Sequence, residues 1–386
     1  METIAVIFGG RSTEHDVSVI TAIASIIKPL ELNKGFRVEP VYIAKNGAWY
    51  WDRQLKDIAL FSQGKIEGFI ATHKPVDLEF NGGLRLVQKN RIGSRSVKVD
   101  IVFPAMHGTY GEDGDLSGLL DMAGVPYVGC GVSASAIAMD KVLAKQLAIA
   151  SGLPTPDYLA FTKEELEADP LKAAQAITRK LTYPVFVKPA HLGSSIGISR
   201  VIDDKTLKNA LEVASHYDNL VLAEKAVENL IEVTLPIMGN DKPQPALLER
   251  PLAKAEDFFD FETKYLRGGK KNKASGDSKG SQGYSEIPAK LTQELYDQAV
   301  NLGLNIYRVM GCSGIARVDM LINEKTREVY FNEVNPLPGG LYAHNWNKCG
   351  ISNVELVNRL VELAKARFDA RQQLTTVFDT NYLKQF

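Results

Sequence analysis

Val187-Lys188-Pro189-Ala190-His191-Leu192-Gly193-Ser194-Ser195-Ile196-Gly197 is the stretch on which the fold turns. Residues 183–189 read as a strand that ends beside a lysine. A Gly-Ser-Ser-x-Gly turn follows, and 196–201 reads as a second strand. Glycines let backbone N–H groups approach an anion. Serines add donors, and Lys188 supplies a point charge. A plain β-hairpin turn with a solvated lysine fits the same letters, and the segment alone leaves both readings open. Downstream, 205–215 has a helix pattern and 220–227 a strand pattern. Upstream, 140–150 is a helix pattern ended by Gly152 and Pro154. Together these elements make a small α+β module.

Toward the N-terminus the rhythm changes to βαβ. Residues 3–8 (TIAVIF) read as a buried parallel strand and Gly9-Gly10-Arg11-Ser12 as a turn. A helix pattern at 17–27 follows, then strands at 38–43 and 100–105, a short helix at 116–123 and a strand at 125–128. A small doubly wound α/β domain is expected. Toward the C-terminus, strands are expected at 231–237, 313–322 and 329–334, with helices at 291–309 and 354–368. Residues 266–283 differ in composition: Arg267, Lys270, Lys271, Lys273 and Lys279 face a single acid, Asp277, among repeated glycines. No element forms easily there, so a mobile cationic loop is expected.

Composition sets the outer limits. The chain has 386 residues, with 45 Lys+Arg against 46 Asp+Glu and a net charge of −1. Near-neutrality argues against a dedicated nucleic-acid binder. A hydrophobic share of 45% with 24% charged residues is ordinary for a globular protein and excludes a disordered chain. Cys130, Cys312 and Cys349 are widely spaced and form no CxxC pair, which suits a reduced, cytoplasmic protein. The charge-free run 122–139 holds too many glycines and serines for a membrane span. The acidic start, Met1-Glu2-Thr3, does not read as a signal peptide.

The dinucleotide fingerprint GxGxxG is absent after the first strand, and the P-loop pattern is absent throughout. A different nucleotide device is therefore sought. Arg317-x-Asp319 and Glu333-x-Asn335 lie on two expected strands. Alternate strand residues share a face, so Asp319, Glu333 and Asn335 should point one way. Such oxygen donors suit magnesium, which bridges phosphates. A charged outer sheet face is the other reading, but apolar Ile315, Val318, Phe331 and Val334 flank these charges. Glu14 lies in Thr13-Glu14-His15-Asp16, where Thr13 and Asp16 read locally as a capping box. Glu14 could alternatively bind a substrate ammonium group. His107 sits in a loop after a strand, at an edge that favours ligand sites.

The motifs taken together resemble the D-alanine–D-alanine ligase family of ATP-grasp enzymes. They are FGGRSTEHDVS (8–18), HGTYGEDG (107–114), AMDK (138–141), VKPAHLGSSIG (187–197), FFDFETKY (258–265), RVDM (317–320) and NEVNPLPG (332–339). They occur in family order and with family-like spacing. The resemblance implies an ATP-grasp fold: an N-terminal α/β domain at 1–137, a central lid at 138–223 and a C-terminal α+β catalytic domain at 224–386. It implies ATP with a pair of magnesium ions, or manganese in their place, held by Asp319, Glu333 and Asn335. Lys141, Lys188, Ser194 and Ser195 would face the phosphates, with Asn332 beside them. Glu224 and Glu232 would lie near adenine and ribose. Lys264 would approach the γ-phosphate from the cationic loop, which would close over the site. Glu14, Ser194 and Tyr265 match a hydrogen-bonded group near the amino substrate. Arg317 and the Gly339 N–H would stabilise an oxyanion. His107, His344 and Asn345 would face substrate. The partners implied are small molecules and, by analogy, a second copy in a homodimer, with no nucleic acid or membrane.

The chain departs from the pattern after Pro338-Gly339. The family has a longer segment there, with Thr and Ser cradling the carboxylate of the second D-alanine. Here it reads GLYAHNWNKCG (340–350), shorter and without the serine. The expectation drawn from this is a specialised ligase that joins a serine- or threonine-like amino acid to mycosporine-glycine. The alternative is a D-alanine–D-alanine ligase, and a more remote one is a catalytically silent nucleotide binder.

Overall fold

The computed structural model describes residues 1–89, 93–252 and 285–386. Lys264, Tyr265 and the expected loop 266–283 lie outside them.

The N-terminal sheet is four-stranded, in the order Trp49–Trp51, Phe36–Ile43, Glu2–Gly9, Ile101–Pro104. Glu2–Gly9 is buried along nearly its whole length and pairs in parallel on both sides. Its unbroken apolar run is what a strand covered on both faces requires. The helix expected at 17–27 is longer. His15–Ile20 and Lys28–Glu31 are α-helical, and Thr21–Ile27 between them is a π-helix. Such widened turns recur at functional sites, because they re-aim side chains within a helix. An antiparallel meander, Asp77–Phe80, Leu84–Lys89 and Ser94–Val99, was not foreseen.

The central sheet runs Ser199–Val201, Val185–Pro189, Leu220–Lys225, Tyr158–Thr162. Helices Lys163–Ala168, Pro170–Lys180 and Asp204–Tyr217 pack on it over Val185, Val187, Leu207 and Val221. The expected strand 196–201 shrinks to Ser199–Val201, since Gly193–Gly197 is spent on a turn with Ser194 and Ser195 in left-handed backbone. The expected boundary at 223/224 falls inside the Leu220–Lys225 strand.

The C-terminal sheet runs Gln244–Pro245, Leu230–Met238, Ile315–Asn323, Glu328–Asn335, all antiparallel. Along Ile315–Asn323 the even-numbered residues are buried and Arg317, Asp319 and Leu321 are half-buried. The even set packs on helix Gln293–Val309, and the odd set faces the cleft. Helix Asn353–Gln372 crosses back to the first sheet. Leu356, Val357 and Leu360 share one core with Phe8, Ile26 and Phe103.

Candidate active site

Lysines enter the cleft from the central region and oxygens meet them from the C-terminal sheet. Asp140 caps helix Lys141–Ala150 by accepting from the N–H groups of Val142 and Leu143. Lys141, at the first turn, donates to Leu192 O at 2.6 Å and lies 3.5 Å from Glu333. It thereby ties the glycine-serine turn to the opposite sheet. Lys188 donates to Glu224 Oε1 at 2.7 Å and reaches Asn332 Oδ1 at 3.5 Å.

Lys145 was missed in the sequence. It is one helical turn beyond Lys141, and that i,i+4 spacing was the available signal. It is 1% exposed, and its Nζ lies 2.5 Å from Glu224 Oε2, an ionic contact not aligned as a hydrogen bond. Glu224 is equally buried, and burial alone would raise its pKa. The Lys145 and Lys188 ammonium groups outweigh that and hold it at about 2. Burial also lowers the Lys145 pKa, partly offset by Glu224.

Asp319 and Glu333 are cross-strand partners, as are Arg317 and Asn335. A bulge follows, because Met320 opposes Phe331 and Asn332 is left over. Strict alternation would put Asn332 on the far face from Glu333; the extra residue turns both to the cleft. Arg317 grips Asp319 through two hydrogen bonds, 2.8 and 2.5 Å. Burial opposes the Arg317 charge, but Asp319 outweighs it and its pKa rises further. Thr234 also donates to Asp319, and Asn335 Nδ2 donates at 3.2 Å. Two carboxylates and an amide oxygen on one face fit a hard cation. Glu232 is on the neighbouring strand, and Ser195 is in the left-handed turn.

The capping box expected at Thr13 and Asp16 does not form. Glu14 is the N-cap and no side chain caps this helix; Ser12 accepts the Glu14 N–H instead. Glu14 reaches across the cleft, and Ser194 Oγ donates to it. Gly108, at φ +69°, and Gly193 leave room for its carboxylate. A Cβ there would stand 2.9 and 3.2 Å from Oε2. Burial and then Glu112 raise the Glu14 pKa against Ser194 and His107. A ligand ammonium group would relieve that.

His107 is buried. It contacts Thr21 Oγ1 at 3.0 Å, which accepts the Gly340 N–H at 3.0 Å. Glu112 accepts from Gly108 N–H and Leu337 N–H. These links brace the turn that begins at Gly339. Gly340, Leu341 and Tyr342 then run at φ 59°, 56° and 50°. Left-handed backbone costs about 1–2 kcal/mol at each non-glycine residue, so this turn is held by its surroundings. Asn345 is fully buried, and its amide is spent on Leu247 and Glu249. His344 is half-buried beside Glu249. Glu249 was also missed; burial would raise its pKa, but His344 and Asn345 hold it low.

Two family models match the chain. "D-ala D-ala ligase N-terminus" covers residues 3–130 and "D-ala D-ala ligase C-terminus" covers 147–362. D-alanine–D-alanine ligase of Acetivibrio thermocellus is 37% identical over 95% of this chain and 96% of its own. The Chloroherpeton thalassium enzyme of that name is 38% identical over 96% and 98%. Among solved structures, the D-alanine–D-alanine ligase of Coxiella burnetii superposes with a TM-score of 0.78, at 26% identity and 96% coverage of both chains. A D-Ala:D-Ser ligase of Enterococcus faecalis gives 0.75, at 31% identity over 94% and 99%. The mycosporine-glycine specialisation finds no support here, and its alternative fits better. The chain belongs to the D-alanine–D-alanine ligase family of ATP-grasp enzymes, which join carbon to nitrogen with formation of ADP.

Proposed function

We propose that this chain is an ATP-dependent D-alanine–D-alanine ligase. Full-length similarity to relatives named for that reaction carries the reading. A carboxylate is a poor electrophile, because its leaving group would be oxide. Transfer of the γ-phosphoryl group from ATP to that oxygen makes phosphate the leaving group. A second D-alanine then attacks through its neutral amine, and phosphate departs.

The residues divide this work. Glu14, with Ser194, binds the ammonium group of the first D-alanine. Lys141 and Lys188 balance phosphate charge from one side of the cleft. Glu224 and Glu232 face the adenosine end. Asp319, Glu333 and Asn335 would hold magnesium, which neutralises charge on the transferring phosphate. Arg317 and the Gly339 N–H meet the oxygen that becomes negative when the amine adds. Asn332 steadies Lys188, and Ser195 shapes the phosphate turn. Water has to be kept from the acyl phosphate, which it would otherwise hydrolyse; Lys264, Tyr265 and residues 266–283, to which the resemblance gave that part, lie outside the described residues. The organisation into regions 1–137, 138–223 and 224–386, a cytoplasmic location and a homodimer belong to the same proposal.

Phosphate release from ATP across D- and L-amino acids tests this reading. D-alanine alone should sustain turnover and yield dipeptide. Turnover only with mycosporine-glycine and an L-amino acid would replace it.

A further inference from the structure

Tyr342, beside Arg317, joins His344 and Glu249 in a cluster of which only His344 was expected, from the resemblance, to face substrate. The left-handed turn at Gly340–Tyr342 is what places it. Leu341, fully buried, anchors the turn below, and the Gly340 N–H on Thr21 anchors it from the first helix. The Tyr342 ring centroid then stands 5.2 Å from the Arg317 guanidinium carbon and 5.0 Å from the His344 ring. His344 Nε2 lies 3.0 Å from Glu249 Oε2. Glu249 is 3% exposed, and Asn345 Nδ2 donates to the same oxygen at 3.1 Å.

Sheet register relates this cluster to the reaction centre. Glu249 opposes Thr234, Thr234 opposes Asp319, and Asp319 opposes Glu333. Cross-strand neighbours share a face, so one polar row crosses the sheet and His344 stands at its outer end. Lys141 and Lys188 are engaged with Glu333 and Glu224 on the nucleotide side, and Arg317 is engaged with Asp319. A second amino acid must bring its amine to the carbon held near Arg317. Its carboxylate is only two bonds from that amine, so the group receiving it must stand close to Arg317. His344 is linked to Arg317 through the Tyr342 ring, which lies 5.2 Å from the guanidinium carbon and 5.0 Å from the imidazole. A buried carboxylate requires a partner, and Glu249 finds one in His344 Nε2. Glu249 engages Nε2, and the second ring nitrogen, Nδ1, is the group offered to a ligand.

We propose that His344 receives the carboxylate of the second amino acid. The proposal rests on the ligase reading above. Glu249 and Asn345 are positioning residues that hold the imidazole, and Tyr342 closes the side toward Arg317.

The test uses the full chain with ATP, magnesium and D-alanine, and compares two second substrates. D-Alanine carries the carboxylate. D-Alaninamide keeps the amine and the methyl group but lacks the carboxylate, so it can enter only as the second substrate. The wild type should prefer D-alanine. His344→Gln should raise KM for the second D-alanine about tenfold or more, as expected for losing a hydrogen bond to a charged group. KM for ATP should move far less than KM for the second D-alanine, and the preference for D-alanine over D-alaninamide should vanish. Glu249→Gln should move the preference the same way. A His344→Gln enzyme that keeps the preference, or loses kcat equally with both amines, would overturn the proposal. A wild type that makes no dipeptide would overturn the ligase reading and this inference with it, before any substitution is made.

Discussion

At the residue scale, buried charge is affordable only where partners outnumber its cost. Glu224 lies between Lys145 and Lys188 and titrates at about 2. Lys145→Met leaves Glu224 with one partner in a dry site, so a loss of about 3–5 kcal/mol is expected, measured by urea denaturation. His191 behaves differently. It bridges Asp140 at 3.3 Å and Asp218 at 2.9 Å, and those carboxylates raise its pKa to about 10. A raised folded-state pKa stabilises fully below the ordinary value of 6.5 and is lost as pH climbs through about 10. The stability gap between wild type and His191→Asn should therefore be widest below pH 6.5 and close by about pH 10. A gap that is flat across this range would contradict it. Lys188, Asp319 and Glu333 were legible from sequence, because charges interrupt apolar strands there. Lys145 and Glu249 were not: each lies in a pattern that reads as ordinary surface until its partner is brought close.

At the element scale, glycines mark where backbones crowd. Gly314 has φ +71°, and a Cβ there would stand 3.0 Å from Gly129 N, a backbone atom that cannot swing aside. Gly340 has φ +59°, but its nearest neighbour would be Ser25 Oγ at 3.6 Å. Gly340→Ala should cost about 1 kcal/mol from backbone strain alone. Gly314→Ala should cost clearly more, with both read from denaturation midpoints. Equal costs would show that the 129–314 contact is not tight. The long strands of the first and last sheets were legible to within about two residues, because their apolar runs are long; the short strands Trp49–Trp51 and Gln244–Pro245 were not expected, and the strand expected at 125–128 is only a single bridge between Val102 and Tyr127. The Asp77–Val99 meander was not, since its strands are short and largely exposed. Nor was the bulge at Asn332, which only pairing with Asp319 and Met320 reveals.

At the scale of the whole molecule, a neutral chain hides a polarised cleft. Lys141, Lys145 and Lys188 gather on one side and Asp319 and Glu333 on the other, while the total charge is −1. The motifs were legible in order along the chain. Their convergence was not, because Glu14 and Ser194 are 180 positions apart and meet only in the folded protein. The altered segment at 340–350 pointed the sequence reading to a remote substrate. In the structure that segment sets Tyr342 beside Arg317 and His344 beside Glu249. The central claim is that ATP activates a D-alanine carboxylate. D-Alanine labelled with ¹⁸O in its carboxyl group tests it most directly, with mass analysis of the released phosphate. Dipeptide formation should transfer one ¹⁸O atom to each phosphate. Dipeptide accompanied by unlabelled phosphate would contradict the account.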